Sequence, residues 1–500
     1  MKKVVVDVGS LLMFNIQLLD FVNTKNYIDG NWLDCQEQLS VYNPANDKVV
    51  GSIPNLPNDL IISAIDSSVR AFKIWSQTSF EQRITILRKW HSLILENIDQ
   101  LAYIITLEQG KILEGAKLEV LYGASFIDWF ASNIHNIQGK IKPGKSITHK
   151  IIIEFEPIGT VCSITPWNFP NAMVTRKVAP ALAAGCSVIL KPSEFTPFSA
   201  LVLAKLANDA GIPAGVLNII TGDANNIGQI FCNDSRIRKL SFTGSTRVGK
   251  MLYQNSSATI KRLSLELGGN APFIILSGVD LDKTASELIL GKIRNSGQSC
   301  TSPNRILIEE AIYDEFLQIL TTKFANLKIG DGFDSESVIG PLINKAAIDK
   351  ILKLIEDAKN KGGEILCGGK AHGNFFEPTI ISNCQDNMEI FSTEIFGPVL
   401  ACYKFGSIQE VINRANNTEY GLQAYIYCNN IAIAQIMATK LDFGMVSIND
   451  SLPANCKAAF AGRKNSGFGV EGSDEGIFEY LNSKFVNLHN YADSSQLTLL

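Results

Sequence analysis

None of the ten cysteines forms a CxxC pair, and none joins histidine at zinc-ligand spacing. A disulfide framework and a metal centre are therefore not expected, and scattered thiols fit a reducing, cytoplasmic setting. Basic stripes are absent too. The formal net charge is -4, which argues against a nucleic-acid partner. No window reaches ~18 uninterrupted apolar residues, so no membrane span is expected. Internal repeats and low-complexity tracts are missing. Met1-Lys2-Lys3 followed by apolar residues resembles a short signal peptide. Asp7 interrupts that run, no small-residue cleavage site follows, and a start at Met13 would remove the likeness.

What is present is a chain of 500 residues, enough for roughly three domains and a large buried core. Residues 58–77 and 80–136 read as helices: Ile61, Ile65, Val69 and Phe72 recur at helical spacing, as do Ile84, Leu87, Trp90 and Ile94. From about residue 150 short β-rich runs alternate with helices. The runs are Ile151–Phe155, Gly159–Ile164, Ser187–Leu190, Val216–Ile220, Lys239–Phe242 and Arg262–Leu265. Helical stretches such as Ala172–Ala184, Pro197–Ala210 and Thr246–Gln254 lie between them. A second alternating region runs from Arg305–Ile308 to about 448. The pattern predicts an α/β chain with two parallel-sheet domains in series. The glycine-rich stretch 139–144 and the tail from about 484 fit neither domain and are candidate strands lent to a neighbouring subunit.

Two glycine-flanked segments carry candidate chemistry: Asn295-Ser296-Gly297-Gln298-Ser299-Cys300 and Leu265-Glu266-Leu267-Gly268-Gly269. A thiol can trap a carbonyl covalently, and a carboxylate can take its proton, directly or through a water. Taken singly, such residues are more often a small buried hydrophobe and a turn residue. Pro166-Trp167-Asn168-Phe169-Pro170 pins an irregular loop in which the Asn168 amide, with the Cys300 N–H, could hold an oxyanion. The alternative is a rigid turn with its Trp in the core.

Three further segments suit a dinucleotide. Phe242-Thr243-Gly244-Ser245-Thr246 places a glycine and hydroxyl turn at a helix start, where amide N–H groups bind phosphate, although the same pattern is plain N-capping. Lys191-Pro192-Ser193-Glu194 follows a strand at its carboxyl end, where open α/β sheets bind ligands. Glu194 could accept hydrogen bonds from an adenosine ribose and would repel a 2′-phosphate, favouring NAD over NADP. Glu394-Ile395-Phe396-Gly397-Pro398 offers a carboxylate for a second ribose and a ring beside nicotinamide, or merely a strand edge.

In their order along the chain, and with Ser466-Gly467-Phe468-Gly469, these segments resemble the aldehyde dehydrogenase superfamily from about Tyr27 to Tyr480. Agreement at seven ordered sites makes chance a poor explanation. The resemblance implies an aldehyde dehydrogenase fold: two Rossmann-like domains and a β oligomerisation arm. It divides the chain into 24–138 and 158–266 for NAD binding, 139–157 for the arm, 267–470 for catalysis and 471–500 for a C-terminal oligomerisation tail. It implies that Cys300 attacks an aldehyde, Asn168 stabilises the oxyanion, hydride passes to NAD, and Glu266 activates the water that releases the acid. Lys177 matches a lysine of proton relay or active-site electrostatics. Cofactor contacts map onto Thr165, Pro166, Trp167, Lys191, Ser193, Glu194, Gly228, Thr243, Gly244, Ser245, Leu267, Glu394 and Phe396. A homo-oligomer, dimer or tetramer, is implied.

Within the superfamily the likeness is to succinate-semialdehyde dehydrogenases. A substrate ending in a carboxylate needs a cation near the trap, and Arg176 and Arg294 are the candidates, with an ordinary salt bridge as the alternative. Ser302 stands where some relatives carry a second cysteine, so a disulfide switch there is not available. Asp450–Lys457 departs from the succinate-specific pattern, which leaves α-ketoglutarate semialdehyde or a small hydroxyaldehyde open. Ala459 and Ala461 replace the usual proline and glycine of a Pro-Phe-Gly-Gly run. Two rivals are a CoA-acylating enzyme, against which Glu266 argues, and a non-catalytic NAD-binding scaffold.

Overall fold

The alternation read from the sequence closes into two sheets in the computed structural model, which describes residues 22–489. The first sheet has eight strands. Its parallel centre runs Leu217–Ile219, Ser187–Lys191, Thr160–Ile164, Ile237–Thr243 and Arg262–Glu266. The chain starts in the middle, at Thr160–Ile164, and winds outward to each side in turn. Strand order therefore reverses at that strand, and a crevice opens beyond the carboxyl ends there. Asn26–Ile28 and Asn31–Leu33 close one edge antiparallel. The seven-stranded second sheet contains Thr379–Ser382, Val399–Phe405, Pro303–Glu309, Ala271–Ile275, Gln423–Tyr427 and Met445–Ile448 in parallel, with Glu364–Cys367 antiparallel at one edge.

The helical region expected over 80–136 comprises three α-helices, Phe80–Glu96, Ile98–Gln109 and Leu113–Asn133. The first is opened by a capping box between Ser79 and Gln82. Gly110 ends the second in a left-handed conformation, φ +81°, that stops a helix. Ala172–Ala184 is buried at every residue, which is why its sequence shows no polar stripe. Its apolar side chains join the core above the first sheet.

Ile151–Phe155 does not belong to the parallel sheet. It lies within His149–Pro157, the centre of a separate three-stranded antiparallel sheet with Lys140–Pro143 and Leu481–His489. Four apolar residues in that run, Ile151, Ile152, Ile153 and Phe155, mimic a core strand, yet all four are only half-buried. The segment beyond 471 is also not all tail. Ile477, Tyr480 and Leu481 pack into the core of the first domain, and Gly467–Phe468 adds a strand to its sheet beside Leu265 and Glu266. The part of the expected tail from 490 onward, like residues 1–21, lies outside the described residues. No helix among the described residues is long and apolar enough to cross a membrane.

Candidate active site

The two sheets meet around a cavity of about 630 Å³. Thirteen of the residues singled out in the sequence line it: Pro166, Trp167, Asn168, Arg176, Thr243, Gly244, Ser245, Glu266, Leu267, Arg294, Cys300, Glu394 and Phe396. Glu266 ends a strand of the first sheet, and Cys300 lies in the loop before Pro303–Glu309 of the second. Gly269 lets these two segments touch. A Cβ there would stand 2.2 Å from the Cys300 carbonyl oxygen. Gly297 serves the other side of the same loop: its φ is +77°, and a Cβ would meet the Gly397 carbonyl oxygen at 2.2 Å. Asn295 and Ser296 also take positive φ values, 50° and 56°, so the approach to Cys300 is held in strained backbone.

The Glu266 turn is locked from the far end of the chain. Leu267 N donates to the Ser466 carbonyl at 3.0 Å, and Ser466 Oγ donates to the Gly268 carbonyl at 2.7 Å. Both Glu266 carboxylate oxygens are buried without a hydrogen-bond partner in the described residues. Burial first, then the neighbouring Glu471 charge, holds this carboxyl well above its ordinary range. The Cys300 thiol is likewise pushed up to about 12, by burial and by Glu394, while Arg176 and Arg294 pull the other way. Both shifts favour the protonated forms of Cys300 and Glu266, so any use of the sulfur as a nucleophile needs its proton moved off.

Asn168 reaches the nucleophile loop directly. Its Nδ2 donates to the Gln298 carbonyl at 3.0 Å, which leaves a second amide hydrogen for another acceptor.

The two arginines differ. Arg176 Nε lies 2.7 Å from Glu471 Oε2, and its guanidinium stacks 3.8 Å over the Phe460 ring. Arg294 has no ion-pair partner among the described residues and rests against the rings of Phe169 and Tyr122, at 5.0 and 5.7 Å. Lys177 does not line the cavity. It is fully buried behind it, paired with Glu471 and donating to Ser241 Oγ at 3.1 Å. Burial lowers its pKa. Burial pushes Glu471 up, but the Lys177 and Arg176 charges outweigh it, so Glu471 rests below the usual carboxylate range.

The remaining dinucleotide candidates follow the carboxyl edge of the first sheet. Ser245 caps the helix Thr246–Asn255 with its side chain, and Thr243 Oγ1 is buried with no partner. Thr165 N donates to the Lys191 carbonyl at 3.1 Å, and Lys191 Nζ pairs with Glu194 at 2.8 Å. Burial pushes Glu194 up, but Lys191 outweighs it, so Glu194 stays anionic. The Ser193 hydroxyl accepts from Phe195 N at 3.3 Å. Gly228 lies on the buried face of Ala224–Asn233, where an added Cβ would meet only Leu252 at 3.5 Å. Glu394 Oε1 accepts from Gly269 N at 2.9 Å, and the Phe396 ring stands edge-on to Trp167 at 5.5 Å. Open amides at a helix start, an orphaned hydroxyl and a half-exposed carboxylate along one switch-point crevice fit a nicotinamide dinucleotide.

Sequence reasoning missed Tyr122, Phe169, Phe460 and Glu471, as well as a buried pair, Lys111 and Glu119. Glu119 left a signal: it falls on the helical stripe of Ala116, Val120 and Gly123, a charge among buried positions. A cluster of three or more metal-ligating side chains does not occur among the described residues.

Residues 32–486 match the sequence profile of the aldehyde dehydrogenase family. The chain belongs to the aldehyde dehydrogenase family. It is 45% identical over 464 residues to the NADP(+) succinate-semialdehyde dehydrogenase of Escherichia coli, covering 92% of this chain and 96% of that one. Its identity to the glutarate-semialdehyde dehydrogenase of Pseudomonas putida is 44% over 463 residues, with 92% and 96% covered. A crystal structure of an NADP-dependent enzyme of E. coli superposes with a TM-score of 0.93 at 44% identity, covering 94% of this chain and 99% of that chain. This aldehyde dehydrogenase is thus an oxidoreductase of aldehydes with the fold of its family, and the family uses NAD or NADP.

Proposed function

We propose that this aldehyde dehydrogenase oxidises a carboxylate-bearing semialdehyde, with succinate semialdehyde the leading substrate, to the free acid, using NAD. The observation that carries the reading is Arg294: a cation on the wall of the Cys300 cavity with no carboxylate of its own. A guanidinium held against two rings binds an incoming carboxylate in two parallel hydrogen bonds, and so orients the aldehyde end toward sulfur. The semialdehyde substrates named for the E. coli and P. putida relatives support the same class. Arg176, already paired with a Glu471 that it shares with Lys177, contributes positive potential rather than a binding fork.

In this reading Cys300 sulfur bonds to the carbonyl carbon, and its proton passes to a water, or to ionised Glu266, which hands it on to solvent before the second step. The free Asn168 amide hydrogen meets the oxyanion. Bound NAD supplies the hydride acceptor, with Lys191, Glu194, Gly244, Ser245, Glu394 and Phe396 holding it. Glu266, lacking any internal partner, then takes a proton from the water that releases the acid. Lys177 stands behind it, within reach of Glu471, as a proton acceptor or electrostatic support. Glu194 disfavours a 2′-phosphate, hence NAD over NADP. Ten free thiols suit a cytoplasmic setting. The three-stranded sheet of 140–157 and 481–489, with Phe485 and Ile141 exposed, is proposed as the oligomerisation arm of a dimer or tetramer.

The test is a comparison of kcat/KM for the semialdehydes of succinate, glutarate and α-ketoglutarate and for uncharged aldehydes of equal length, each with NAD and with NADP. Preference for the anionic aldehydes supports the proposal. Equal efficiency on butanal and succinate semialdehyde defeats it.

A further inference from the structure

Lys111 and Glu119 form an ion pair out of reach of water, their side chains 2% and 0% exposed. Lys111 stands in the turn after Ile98–Gln109, and Glu119 on Leu113–Asn133. Isolating two charges in a core is expensive, and a buried pair often contributes little to stability. Its other contacts are therefore informative. Lys111 Nζ donates to the Asn168 carbonyl oxygen at 3.0 Å and lies 3.9 Å over the Phe169 ring. Glu119 Oε1 accepts from Asn171 N at 2.9 Å and from Ala172 N at 3.3 Å. Apart from their contact with one another, the polar contacts of both side chains fall on residues 168–172. That five-residue segment carries the oxyanion amide and opens the helix that bears Arg176 and Lys177.

We propose that the Lys111–Glu119 pair is a positioning device for the Asn168 amide; the proposal rests on the reading of Asn168 as oxyanion donor. The Asn168 peptide is fixed from two sides. Lys111 Nζ holds its carbonyl from the first domain, and Asn295 Nδ2 holds the same oxygen at 2.9 Å from the nucleophile loop. With that peptide plane set, the side-chain amide has one good orientation, toward Gln298 and the space above Cys300. Glu119 anchors the other end of the segment, where its negative charge also faces the positive end of the helix Ala172–Ala184. Loss of the Lys111 grip lets the segment shift, and a shift near 1 Å in a reacting geometry costs about a hundredfold in rate.

The experiment is a mutant cycle on the full-length enzyme. Lys111→Met/Glu119→Gln removes both charges while keeping the side-chain oxygen that accepts from Asn171 N and Ala172 N. In the native background it should lower kcat about 10- to 100-fold, with the aldehyde KM and NAD affinity held within about twofold. In an Asn168→Ala background the same two substitutions should change kcat less than about twofold, because the group they position is already gone. Losses that multiply in full, or an unchanged kcat in the native background, overturn the proposal alone. An unchanged kcat in Asn168→Ala by itself overturns the oxyanion reading and this proposal with it. Should the double variant fail to fold, Glu119→Gln, which preserves side-chain volume, is read through the same cycle with the same outcomes.

Discussion

Arg176 and Arg294 face one cavity from opposite electrostatic settings. On the first-domain side, Arg176 and Lys177 share the single Glu471 carboxylate in a buried cluster. On the other side, Arg294 has no ion-pair partner and the facing Glu266 carboxyl has no hydrogen-bond partner among the described residues. A buried polar group left unmatched costs a protein stability, roughly 1–3 kcal/mol each. Groups left so at the centre of a cleft are reserved for something that comes and goes. The paired side is frame; the unpaired side is where chemistry is proposed.

Substitutions should separate the two sides, and the largest effect belongs to the nucleophile. Cys300→Ala should lower aldehyde oxidation by more than about 10⁴-fold with NAD affinity unchanged, measured by NADH formation and by fluorescence titration of NAD. Substantial residual turnover would erase the distinction at its centre. Glu266→Gln should lower kcat about 10²- to 10³-fold. The parent kcat should rise with pH through a limb above the ~4.3 of a free glutamate, because the base works only once its raised carboxyl ionises. Its stability should show the matching sign. A raised folded-state value favours the neutral form, so that contribution is complete below the unfolded value and is lost as pH climbs through the folded one. Glu266→Gln should therefore melt higher than the parent at alkaline pH, which a pair of thermal melts would check.

The arginines test the contrast most directly. Arg294→Leu should raise the KM for succinate semialdehyde about 10- to 100-fold, as expected for a lost charged hydrogen bond, with little effect on butanal and none on melting. Arg176→Leu should instead destabilise the fold by about 3–5 kcal/mol, because Glu471 loses a partner in the core. Reversal of these outcomes would interchange frame and site. The smallest effect should be Glu194→Ser, shifting the NAD-to-NADP preference about tenfold toward NADP, read as a ratio of kcat/KM values.

Most of the fold was legible because its signal is local. Helix Ala172–Ala184 and the five central strands of the first sheet announce themselves by apolar runs and glycine punctuation, and their bounds hold to within two residues. The arm strand His149–Pro157 was misleading for the same reason, since half-buried isoleucines look like core ones. At the site, Cys300, Glu266 and Asn168 could be found because each stands in a short motif with its glycines or prolines. Glu471 could not. It is a lone acid nearly three hundred positions from the two cations it satisfies, and nothing in its neighbours marks it as interior. Lys111 was hidden likewise, and Glu119 showed only as a charge on an apolar helical stripe, with no spacing to name its partner.

The return of residues 466–481 to the first domain has a consequence for synthesis. A nascent chain that has emerged only as far as the second sheet contains Arg176 and Lys177 without their counter-ion, and the Glu266 turn without its clasp from Ser466. Those contacts form only after residues 466–471 have left the ribosome. The surroundings of Glu266 are thus finished only after both sheets have been made.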